Sequence, residues 1–562
     1  MPTITIQYDD LCELLGRKIP LKDLEYVLPL VKCEVKSVVE KQLTIEVNAD
    51  RPDMFSVEGV ARTLKGFFGI KTGLPTYKVR RGKVVVKVDE KVRDVRPYVV
   101  GAVVRNVRLT EEAFQQLIQI QEKLHETLGR KRRMVAIGVH NFDVVKPPIT
   151  YTALEPEKIR FIPLDGTKPL SAKEILEQTY QGKKYGWILE NLPRYPILLD
   201  SKGMVLSMPP IINGEYTKVT TSTKNLFIDI TGLSLQPVEQ TLNILVSNLA
   251  ERGGIVESVK VFYPRGYKKR VVWFATLKPF KAELNLNYFN SVSGLNVNLK
   301  TLVKLAKKAR FNVKVKGKEK LLLTIPSYRC DILHQIDLVE DLIMAYGYDK
   351  LKPELPPTLT YGRELPKTRF MRKVRELMVG FGFQEIATYV LTSMENQTTK
   401  MGFEKLDLIE LLNPKTSEFS VVRRWLLPGI LSFLSANVHV EYPQKVFECG
   451  DVVVPDEDSE TKTRNELRVA AAICDYKASY ENIQAIVYML LKNLKIEDWE
   501  IKPTEHPSFI PGRVASIKIR GKEAVILGEI HPKILENFRI PNPIAAFELD
   551  LTEPLNIYSS QT

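Results

Sequence analysis

The sequence has 562 residues, of which 44% are apolar and 26% are charged, and its formal net charge is +14. This composition excludes general disorder and predicts three to five domains, since one domain takes about 100–200 residues. Five scattered cysteines without a C-x-x-C pair argue against a disulfide framework or a cysteine-based zinc site, and they indicate a reducing cytoplasm.

Neither a secretory signal nor a membrane span is expected from the sequence. The N-terminus lacks a basic segment followed by an apolar core, and no uncharged stretch reaches the ~20 apolar residues that a membrane span needs. The positive charge favours a polyanionic partner such as nucleic acid, although a basic surface kept only for solubility explains it equally well.

The first 82 residues combine strands with one strong helix. Strands are predicted over residues 3–8 and 43–47, and apolar spacings of three and four predict a helix from Val57 that ends at Gly69. Asp53 or Ser56 is expected to cap that helix.

The middle of the chain carries a polar pair at the end of a predicted strand. In residues 225–232, NLFIDITG, strand alternation places Asp229 and Thr231 on one face, and Ser234 can cap the helix that follows. A carboxylate and a hydroxyl beside a helix N-terminus suit a polar substrate group and a water, but an aspartate that only caps a turn fits the same pattern. Ser207 joins them only if the strands around the turn at residues 200–203 pair.

A short module of helix, hairpin and helix follows, with helices predicted over residues 299–309 and 337–346. On the second helix Asp337, Glu340 and Asp341 share one face, and Asp331 lies just upstream. Such carboxylates suit a partly hydrated Mg²⁺ ion, but acids in a first helical turn also simply favour the helix dipole.

Two basic runs suit contacts with phosphate groups. Residues 303–320 carry eight Lys or Arg and one Glu, and residues 129–133 read GRKRR. A solvated helix face is the alternative for either run.

The last 200 or so residues predict a mostly antiparallel sheet with helices packed on it, opened by a helix that buries Phe370 and Val374. The chain contains no H-E-x-x-H, Walker-type phosphate loop or G-x-S-x-G motif. A large basic chain without a self-contained active site suggests a subunit of an assembly or a module for binding and editing.

Four segments of the sequence together resemble one known protein family. They are residues 48–64, residues 205–213 with 226–232, residues 327–349, and residues 426–437 with 447–453. In this order they resemble the beta subunits of phenylalanyl-tRNA synthetase, of the shorter archaeal and eukaryotic kind. The resemblance implies an α+β multidomain fold. It divides into an N-terminal α/β domain (1–82), an editing domain (83–270), a small helix-hairpin-helix module of winged, DNA-binding-like type (271–353), and a catalytically inactive class II synthetase-like domain (354–562).

The resemblance also implies partners and site residues. It implies a heterotetramer of two alpha and two beta subunits in the cytoplasm, in which the alpha subunit binds ATP and charges tRNA(Phe) with phenylalanine. It places editing determinants on Leu198 (or Leu199), Ser207, Asp229 and Thr231. It places a Mg²⁺ site, shared with the alpha subunit, on Asp331, Asp337, Glu340 and Asp341.

Editing has an independent physical reason. A pocket built for an apolar ring rejects one added hydroxyl only by about a hundredfold, so tyrosine is charged by mistake and needs a second, hydrolytic site. A free-standing tRNA deacylase and a non-enzymatic RNA-binding scaffold are the alternatives. The C-terminal domain, which a deacylase does not need, argues against the first.

Overall fold

The computed structural model describes residues 1–356, 358 and 360–561, and the chain divides into two compact units. The first is Met1–Glu354, and the second begins at Leu355. Among the described residues, no helix is long and apolar enough to cross a membrane. All five cysteines are free thiols.

The first unit begins with a three-stranded antiparallel sheet of order β1-β3-β2, against which helices pack. Its elements are β1 (Thr3–Gln7), α1 (Tyr8–Leu15), α2 (Leu21–Leu30), β2 (Cys33–Val39), β3 (Gln42–Val47) and α3 (Val57–Phe67). The two strands and the helix predicted here are confirmed, and Gly69 has the left-handed φ of +70° that suits a residue beyond a helix end.

A ten-stranded mixed sheet follows, with the path β12-β11-β10-β7-β4-β14-β5-β13-β6 and β15 paired to β14. Its strand β13 is buried at every residue, because neighbouring strands flank it and both faces are covered. The elements are β4 (Val79–Val88), β5 (Tyr98–Arg105), α4 (Glu111–Glu126), β6 (Val135–Asn141), β7 (Ile149–Leu154), β8 (Arg160–Phe161), β9 (Leu170–Ser171), α5 (Ala172–Gln178), α6 (Tyr180–Tyr185), β10 (Tyr195–Leu199), β11 (Val205–Met208), β12 (Ile212–Asn213), β13 (Leu226–Gly232), α7 (Leu235–Glu251), β14 (Ile255–Phe262) and β15 (Val271–Phe274).

The first unit ends in a small module with its own apolar core, built from a three-stranded antiparallel sheet of order β16-β18-β17 and three helices. The predicted helix, hairpin and helix are confirmed, although the last helix begins two residues before Asp337. The elements are β16 (Phe280–Asn285), α8 (Leu286–Ser293), α9 (Leu299–Lys308), β17 (Asn312–Lys316), β18 (Lys320–Ile325) and α10 (Gln335–Tyr346).

In the described part of the second unit, a seven-stranded sheet of order β19-β23-β24-β28-β27-β26-β25 lies between two apolar cores. Only the short β19 runs parallel to its neighbour, so the predicted antiparallel sheet is confirmed. The elements are α11 (Pro366–Gly380), β19 (Gln384–Glu385), β20 (Leu391–Thr392), α12 (Met394–Gln397), β21 (Ile409–Glu410), β22 (Val421–Val422), α13 (Leu427–Ala436), β23 (Gln444–Pro455), β24 (Thr463–Cys474), α14 (Tyr480–Asn493), β25 (Trp499–Pro503), β26 (Phe509–Ile519), β27 (Lys522–Ile530), α15 (Pro532–Phe538), β28 (Ile544–Asp550) and α16 (Thr552–Gln561).

Asp53 does not cap α3, which corrects the sequence prediction. It is fully buried and accepts hydrogen bonds from Arg51 (2.8 Å) and Arg62 (3.3 Å). Burial by itself would raise the pKa of Asp53, but Arg51 and Arg62 hold that pKa well below its usual range. Ser56 is the N-cap residue, yet its side chain makes no cap hydrogen bond and accepts one from Asn248 instead. Both side chains, Asp53 and Ser56, are therefore buried and form hydrogen bonds with other side chains instead of capping α3.

Replacement of Arg329 tests how far the first unit depends on its buried ion pairs. This guanidinium binds both Asp331 (2.8 Å) and Asp341 (2.6 Å), and all three side chains are at least nine-tenths buried. We expect Arg329→Met to lower the free energy of unfolding by about 3–5 kcal/mol, because it leaves two buried carboxylates without a partner. Two measurements check this loss, which are urea unfolding and the hydrogen exchange of the backbone amides in β18 and α10.

Lys36→Met serves as the control for Arg329→Met, because Lys36 forms exposed ion pairs whose removal should change stability by less than about 1 kcal/mol. Adding Asp341→Asn to Arg329→Met should restore part of the loss, since one uncompensated charge is then removed. Equal effects of Arg329→Met and Lys36→Met would contradict the prediction.

Candidate functional site

A cavity of about 420 Å³ opens in the first unit beside β6, β13 and the β11–β12 hairpin. Its volume falls within the ~300–1,000 Å³ range of small-molecule sites, and apolar walls with a few convergent polar groups are typical of such sites. The apolar walls include Phe114, Leu117, Ile118, Ile137, Val139, Ile211 and Ile212.

Three of the four residues singled out from the sequence line this cavity, and they are Ser207, Asp229 and Thr231. The pairing of β10 with β11, which the sequence left open, places Ser207 directly opposite Leu198. Leu198 is fully buried behind this wall and does not line the cavity, and Leu199 pairs with Val205. The structure therefore brings Ser207, Asp229 and Thr231 together in the cavity wall, and Leu198 packs behind that wall.

Asp229 is held by a buried histidine. His140 on β6 contacts the Asp229 Oδ1 through Nε2 (2.6 Å) and the Thr217 Oγ1 through Nδ1 (2.7 Å). Both contacts are satisfied when Nε2–H donates to Asp229 and Nδ1 accepts from the Thr217 hydroxyl. The second oxygen of Asp229, Oδ2, accepts no hydrogen bond from the described residues. It is therefore free to contact a ligand or a water in the cavity.

A glycine leaves the space for this pair of side chains. Gly138 lies opposite Asp229 on the neighbouring strand, and a Cβ added there would come within 2.4 Å of Asp229 Oδ1 and 2.8 Å of His140 Nε2. These distances are shorter than any van der Waals contact, so a larger residue would displace one of the two partners. A glycine inside a strand commonly marks such a close approach.

Thr231 is positioned by a buried arginine. Arg96 donates from Nε to the Thr231 hydroxyl (2.9 Å) and from Nη2 to the Thr231 carbonyl (2.8 Å). Burial lowers the pKa of Arg96 to about 10, so the guanidinium still carries its proton at neutral pH. Because the hydroxyl oxygen accepts from Arg96, its own hydrogen is available to a ligand.

The Ser207 hydroxyl is buried, and Oγ has no hydrogen-bond partner among the described residues. A buried hydroxyl without a partner destabilises the fold by ~1–3 kcal/mol and calls for an explanation. Its place on the cavity wall supplies one, since a bound ligand or water would complete its hydrogen bonding.

A charged cluster on α4 and the turn after it completes the cavity wall. Arg132 donates to Glu122 (2.7 Å) and to the Ile211 carbonyl (2.9 Å), and its guanidinium lies 4.4 Å from the centre of the Tyr185 ring. The neighbouring His125 is buried, and its Nε2 accepts a hydrogen bond from the Ile137 amide (2.9 Å). Burial lowers the pKa of His125 to about 4.

The four carboxylates expected to hold Mg²⁺ do not form one ligand set in this chain. Asp331 and Asp341 are both taken by Arg329, and Glu340 pairs with Lys32 (2.8 Å). Asp337 accepts the amides of Leu333 and His334, which is the capping alternative that the sequence left open. Among the described residues, no group of three or more His, Cys, Asp or Glu side chains is arranged to hold a metal ion.

The basic run at residues 303–320 is only partly a surface patch. Arg310 is buried and donates to the Lys71 carbonyl, and Lys308 donates to the Ala345 carbonyl (2.9 Å). Lys316 forms an ion pair with Glu283 (2.7 Å). The remaining lysines of the β17–β18 hairpin are exposed.

A cleft of about 360 Å³ lies in the second unit, but its central charges are already paired. Arg468 bonds to Glu548 (3.0 Å) and Glu466 (2.6 Å), and Glu548 also accepts the amides of Leu426 and Leu427. His506 stands beside Trp425 in the same cleft, and burial lowers the pKa of His506 to about 4.

Sequence reasoning missed four residues that support the site, namely Arg96, His140, Thr217 and Gly138. Thr217 lies in a short 3-10 helix and Arg96 in a loop, and their partners His140 and Thr231 are 77 and 135 residues away in the chain. No local pattern points to either residue. His140 and Gly138 carried a usable signal, because both lie in the strand-like stretch VAIGVHN, where a glycine and a histidine interrupt an apolar run.

Comparisons with known proteins agree along the whole chain. Residues 351–551 match the family model described as the phenylalanyl tRNA synthetase beta chain CLM domain, and residues 282–348 match the tRNA synthetase B5 domain. The phenylalanine–tRNA ligase beta subunit of Pyrococcus furiosus is 43% identical over 557 residues, which cover 98% of this chain and 99% of that protein. The beta subunit of Korarchaeum cryptofilum is 42% identical over 558 residues, with 99% of both chains covered.

A solved structure matches the first part of the chain. It is the crystal structure of an N-terminal fragment of the phenylalanyl-tRNA synthetase beta subunit from Pyrococcus horikoshii. The match covers 62% of this chain and 100% of that one, with 42% identity and a TM-score of 0.60.

Acidification is expected to loosen the cavity wall at His125. The unfolded chain binds a proton at the ordinary pKa of 6.5 and the folded chain only at about 4, so stability is lost as the pH falls through that interval. The free energy of opening at the Ile137 amide should fall by about 2 kcal/mol between pH 6.5 and 4.5, as measured by hydrogen exchange corrected for intrinsic rates.

His125→Gln is the matched variant, because glutamine keeps an acceptor for the Ile137 amide but does not titrate. Its opening free energy should not change over this pH interval. A wild-type chain whose Ile137 amide opens equally at both pH values would contradict the assignment.

Proposed function

The chain belongs to the family of phenylalanine–tRNA ligase beta subunits, and on that premise we propose that its cavity hydrolyses tRNA mischarged with tyrosine. The observation that carries this proposal is the pocket itself. An apolar enclosure suits an aromatic ring, and its polar groups include the Ser207 hydroxyl and one Asp229 oxygen, neither of which has a hydrogen-bond partner among the described residues. The Thr231 hydroxyl, which accepts from Arg96, still has its hydrogen to donate. A site that hydrogen-bonds the phenol hydroxyl discriminates strongly between tyrosine and phenylalanine, whereas an apolar pocket rejects tyrosine only weakly.

The proposed chemistry needs only groups that line the cavity. A water attacks the carbonyl carbon of the tyrosyl ester, the bond to the ribose oxygen breaks, and the tRNA leaves with its hydroxyl restored. Asp229 Oδ2 can hold the phenol or the water, and the Ser207 and Thr231 hydroxyls can donate to the remaining oxygens. None of the five cysteines lines the cavity, so no thiol nucleophile is invoked, and the terminal hydroxyl of the tRNA can assist the attack.

The remaining roles follow from membership in the family. A beta subunit implies an alpha-subunit partner and a tRNA substrate for the assembled ligase. We propose an alpha₂beta₂ heterotetramer in the cytoplasm, in which the alpha subunit binds ATP and joins phenylalanine to tRNA(Phe). The division into an editing domain at 83–270 and an inactive class II synthetase-like domain at 354–562 belongs to the same proposal.

Magnesium on this chain is a prediction that the residue arrangement does not support. Asp331 and Asp341 would have to give up Arg329 before they could bind a cation, and Asp337 would have to release the start of α10. We therefore assign the ATP-dependent magnesium chemistry to the alpha subunit.

Removal of the Asp229 carboxylate should separate editing from charging. In the complex with the alpha subunit, we expect Asp229→Ala and Asp229→Asn to leave phenylalanylation within twofold of wild type. Hydrolysis of tyrosyl-tRNA should fall about a hundredfold or more, as is usual when a group that positions or activates the nucleophile is lost. Release of labelled tyrosine from preformed tyrosyl-tRNA measures this rate.

Asp165→Ala is the control for the Asp229 variants, because Asp165 is an exposed carboxylate at the rim of the same cavity, paired with Lys218. It should hydrolyse tyrosyl-tRNA at nearly the wild-type rate. Unchanged hydrolysis by both Asp229 variants would refute the site. Full phenylalanylation by this chain without an alpha subunit would refute the division of labour.

Gly138→Ala tests whether the Asp229–His140 geometry matters. The added methyl group must displace one of the two partners, and a misplacement of about 1 Å can lower a rate ~100-fold. We therefore expect the maximal rate of tyrosyl-tRNA hydrolysis to fall at least about tenfold, with charging unchanged.

Gly101→Ala is the matched control for Gly138→Ala, because Gly101 faces Asp229 from the other neighbouring strand. A Cβ there would come no closer than 3.2 Å, to the Ile228 carbonyl, and the three atoms nearest to it belong to Ile228 and Phe227 and not to Asp229. Equal rates for the two variants would show that the methyl group acts through general strain in β13 and not through the pair.

A further inference from the structure

The turn between α4 and β6 has an unusual backbone. Arg130, Lys131 and Arg132 have φ values of 45°, 56° and 67°, so three successive residues with side chains lie in the left-handed region. Such a run is disfavoured for L-amino acids and persists only where the surrounding structure enforces it. Backbone strain of this kind is concentrated at functional sites. Gly129 opens the turn, and a Cβ there would come within 2.5 Å of the His125 carbonyl.

The same turn presents unpaired positive charge. Arg130, Lys131 and Arg133 are exposed, and none of them forms an ion pair or a side-chain hydrogen bond with the described residues. Lys218 offers a comparison on the rim of the cavity, because it is neutralised by Asp165 and Glu215. Free cations held close together, beside a site that takes the end of a nucleic acid, suit contacts with backbone phosphates.

Two arginines fix this turn to the cavity. Arg132 lies within the turn, has a side chain only 12% exposed, and forms part of the cavity wall. Arg96 donates to the carbonyls of Arg132 (3.2 Å) and Arg133 (2.9 Å), and the same guanidinium binds Thr231. Arg96 therefore ties the backbone of the turn to β13 at Thr231, one of the residues that line the cavity.

We propose that Arg130, Lys131 and Arg133 bind the phosphates of the single-stranded acceptor end of tRNA and so deliver its terminal ester to the cavity. This inference rests on the proposed editing function and adds the contacts that seat the substrate. The exposed side chains of Arg130, Lys131 and Arg133 present positive charge, while Arg132, which lies between Lys131 and Arg133, packs into the cavity wall. The ligand class is RNA, read by its phosphates without regard to base sequence.

The test uses the complex with the alpha subunit and two substrates. One is tyrosyl-tRNA, and the other is adenosine esterified with tyrosine, which offers the same ester without phosphates. The triple variant Arg130→Gln, Lys131→Gln, Arg133→Gln removes charge but keeps side-chain length. We expect its KM for tyrosyl-tRNA to rise about tenfold with kcat within twofold of wild type. Its KM for the tyrosyl-adenosine should not change.

Salt dependence gives a second readout. Each phosphate contact with a single strand contributes about 0.7 to the slope of log affinity against log salt, so loss of three contacts should reduce the slope for tRNA by about 2. Fluorescence anisotropy of uncharged tRNA measures the slope. The charge-preserving variant Arg130→Lys, Arg133→Lys should keep both the slope and the KM, because point contacts to phosphate do not need a guanidinium.

The control removes three other exposed charges by Lys314→Gln, Lys318→Gln and Lys320→Gln in the β17–β18 hairpin, which belongs to a different sheet. A rise in KM as large as that of the turn variant would overturn the local assignment. Equal losses on tyrosyl-adenosine would also overturn it, since the turn would then only support the cavity.

The editing function and the phosphate contacts of the turn are contradicted by different experimental results. If the wild-type complex hydrolyses neither ester, editing is refuted, and the slope of tRNA binding still decides whether the turn contacts phosphate. If it hydrolyses both esters and the triple variant matches it in KM and in salt slope, editing stands and the turn has no part in binding RNA.

Discussion

The guanidinium of Arg96 is buried without a carboxylate partner in the described chain, and the arrangement of the cavity depends on it. It binds the hydroxyl and the carbonyl of Thr231 on β13 and the carbonyls of Arg132 and Arg133 in the turn between α4 and β6. A buried cation is tolerated only where dipoles replace its lost hydration. These carbonyls supply the dipoles, and in doing so they hold strand and turn at a set spacing. One residue thus joins the groups proposed to act on the ester with those proposed to seat the RNA.

The carboxylate of the site is fixed by a second constraint, which is the absence of a side chain at Gly138. Asp229 and His140 meet in the space that a Cβ would fill, within a strand pair that is buried on both faces. His140 holds one oxygen of Asp229, and the other has no hydrogen-bond partner among the described residues. Orientation of this kind is what a hydrolytic site requires, because a water must be held within reach of a carbonyl carbon.

Burial also explains why the acidic helix differs from its sequence pattern. Asp337, Glu340 and Asp341 share a helical face by spacing, but the first caps the helix, the second reaches Lys32, and the third turns into the core toward Arg329. Arg51, Arg62 and Arg329 gather around Asp53, Asp331 and Asp341, so these ions balance one another. A helical-spacing argument cannot foresee this, since Lys32 lies 308 residues from Glu340, and Arg329 lies outside the helix, 12 residues before Asp341.

Local patterns in the sequence determined the elements and the family. Period-two alternation in residues 225–232 placed Asp229 and Thr231 on one face, and apolar spacing located α3, α9 and α11, because both signals depend only on neighbours in the chain. The tertiary structure alone decided that Ser207 completes the cavity, that His140, Thr217 and Arg96 hold its polar groups, and that the GRKRR run forms a left-handed turn on its wall. Those facts arise from strand pairing and from the need of buried charges for partners. Both join residues that are distant in sequence, and local patterns record almost nothing of them beyond the histidine that interrupts the apolar strand at His140.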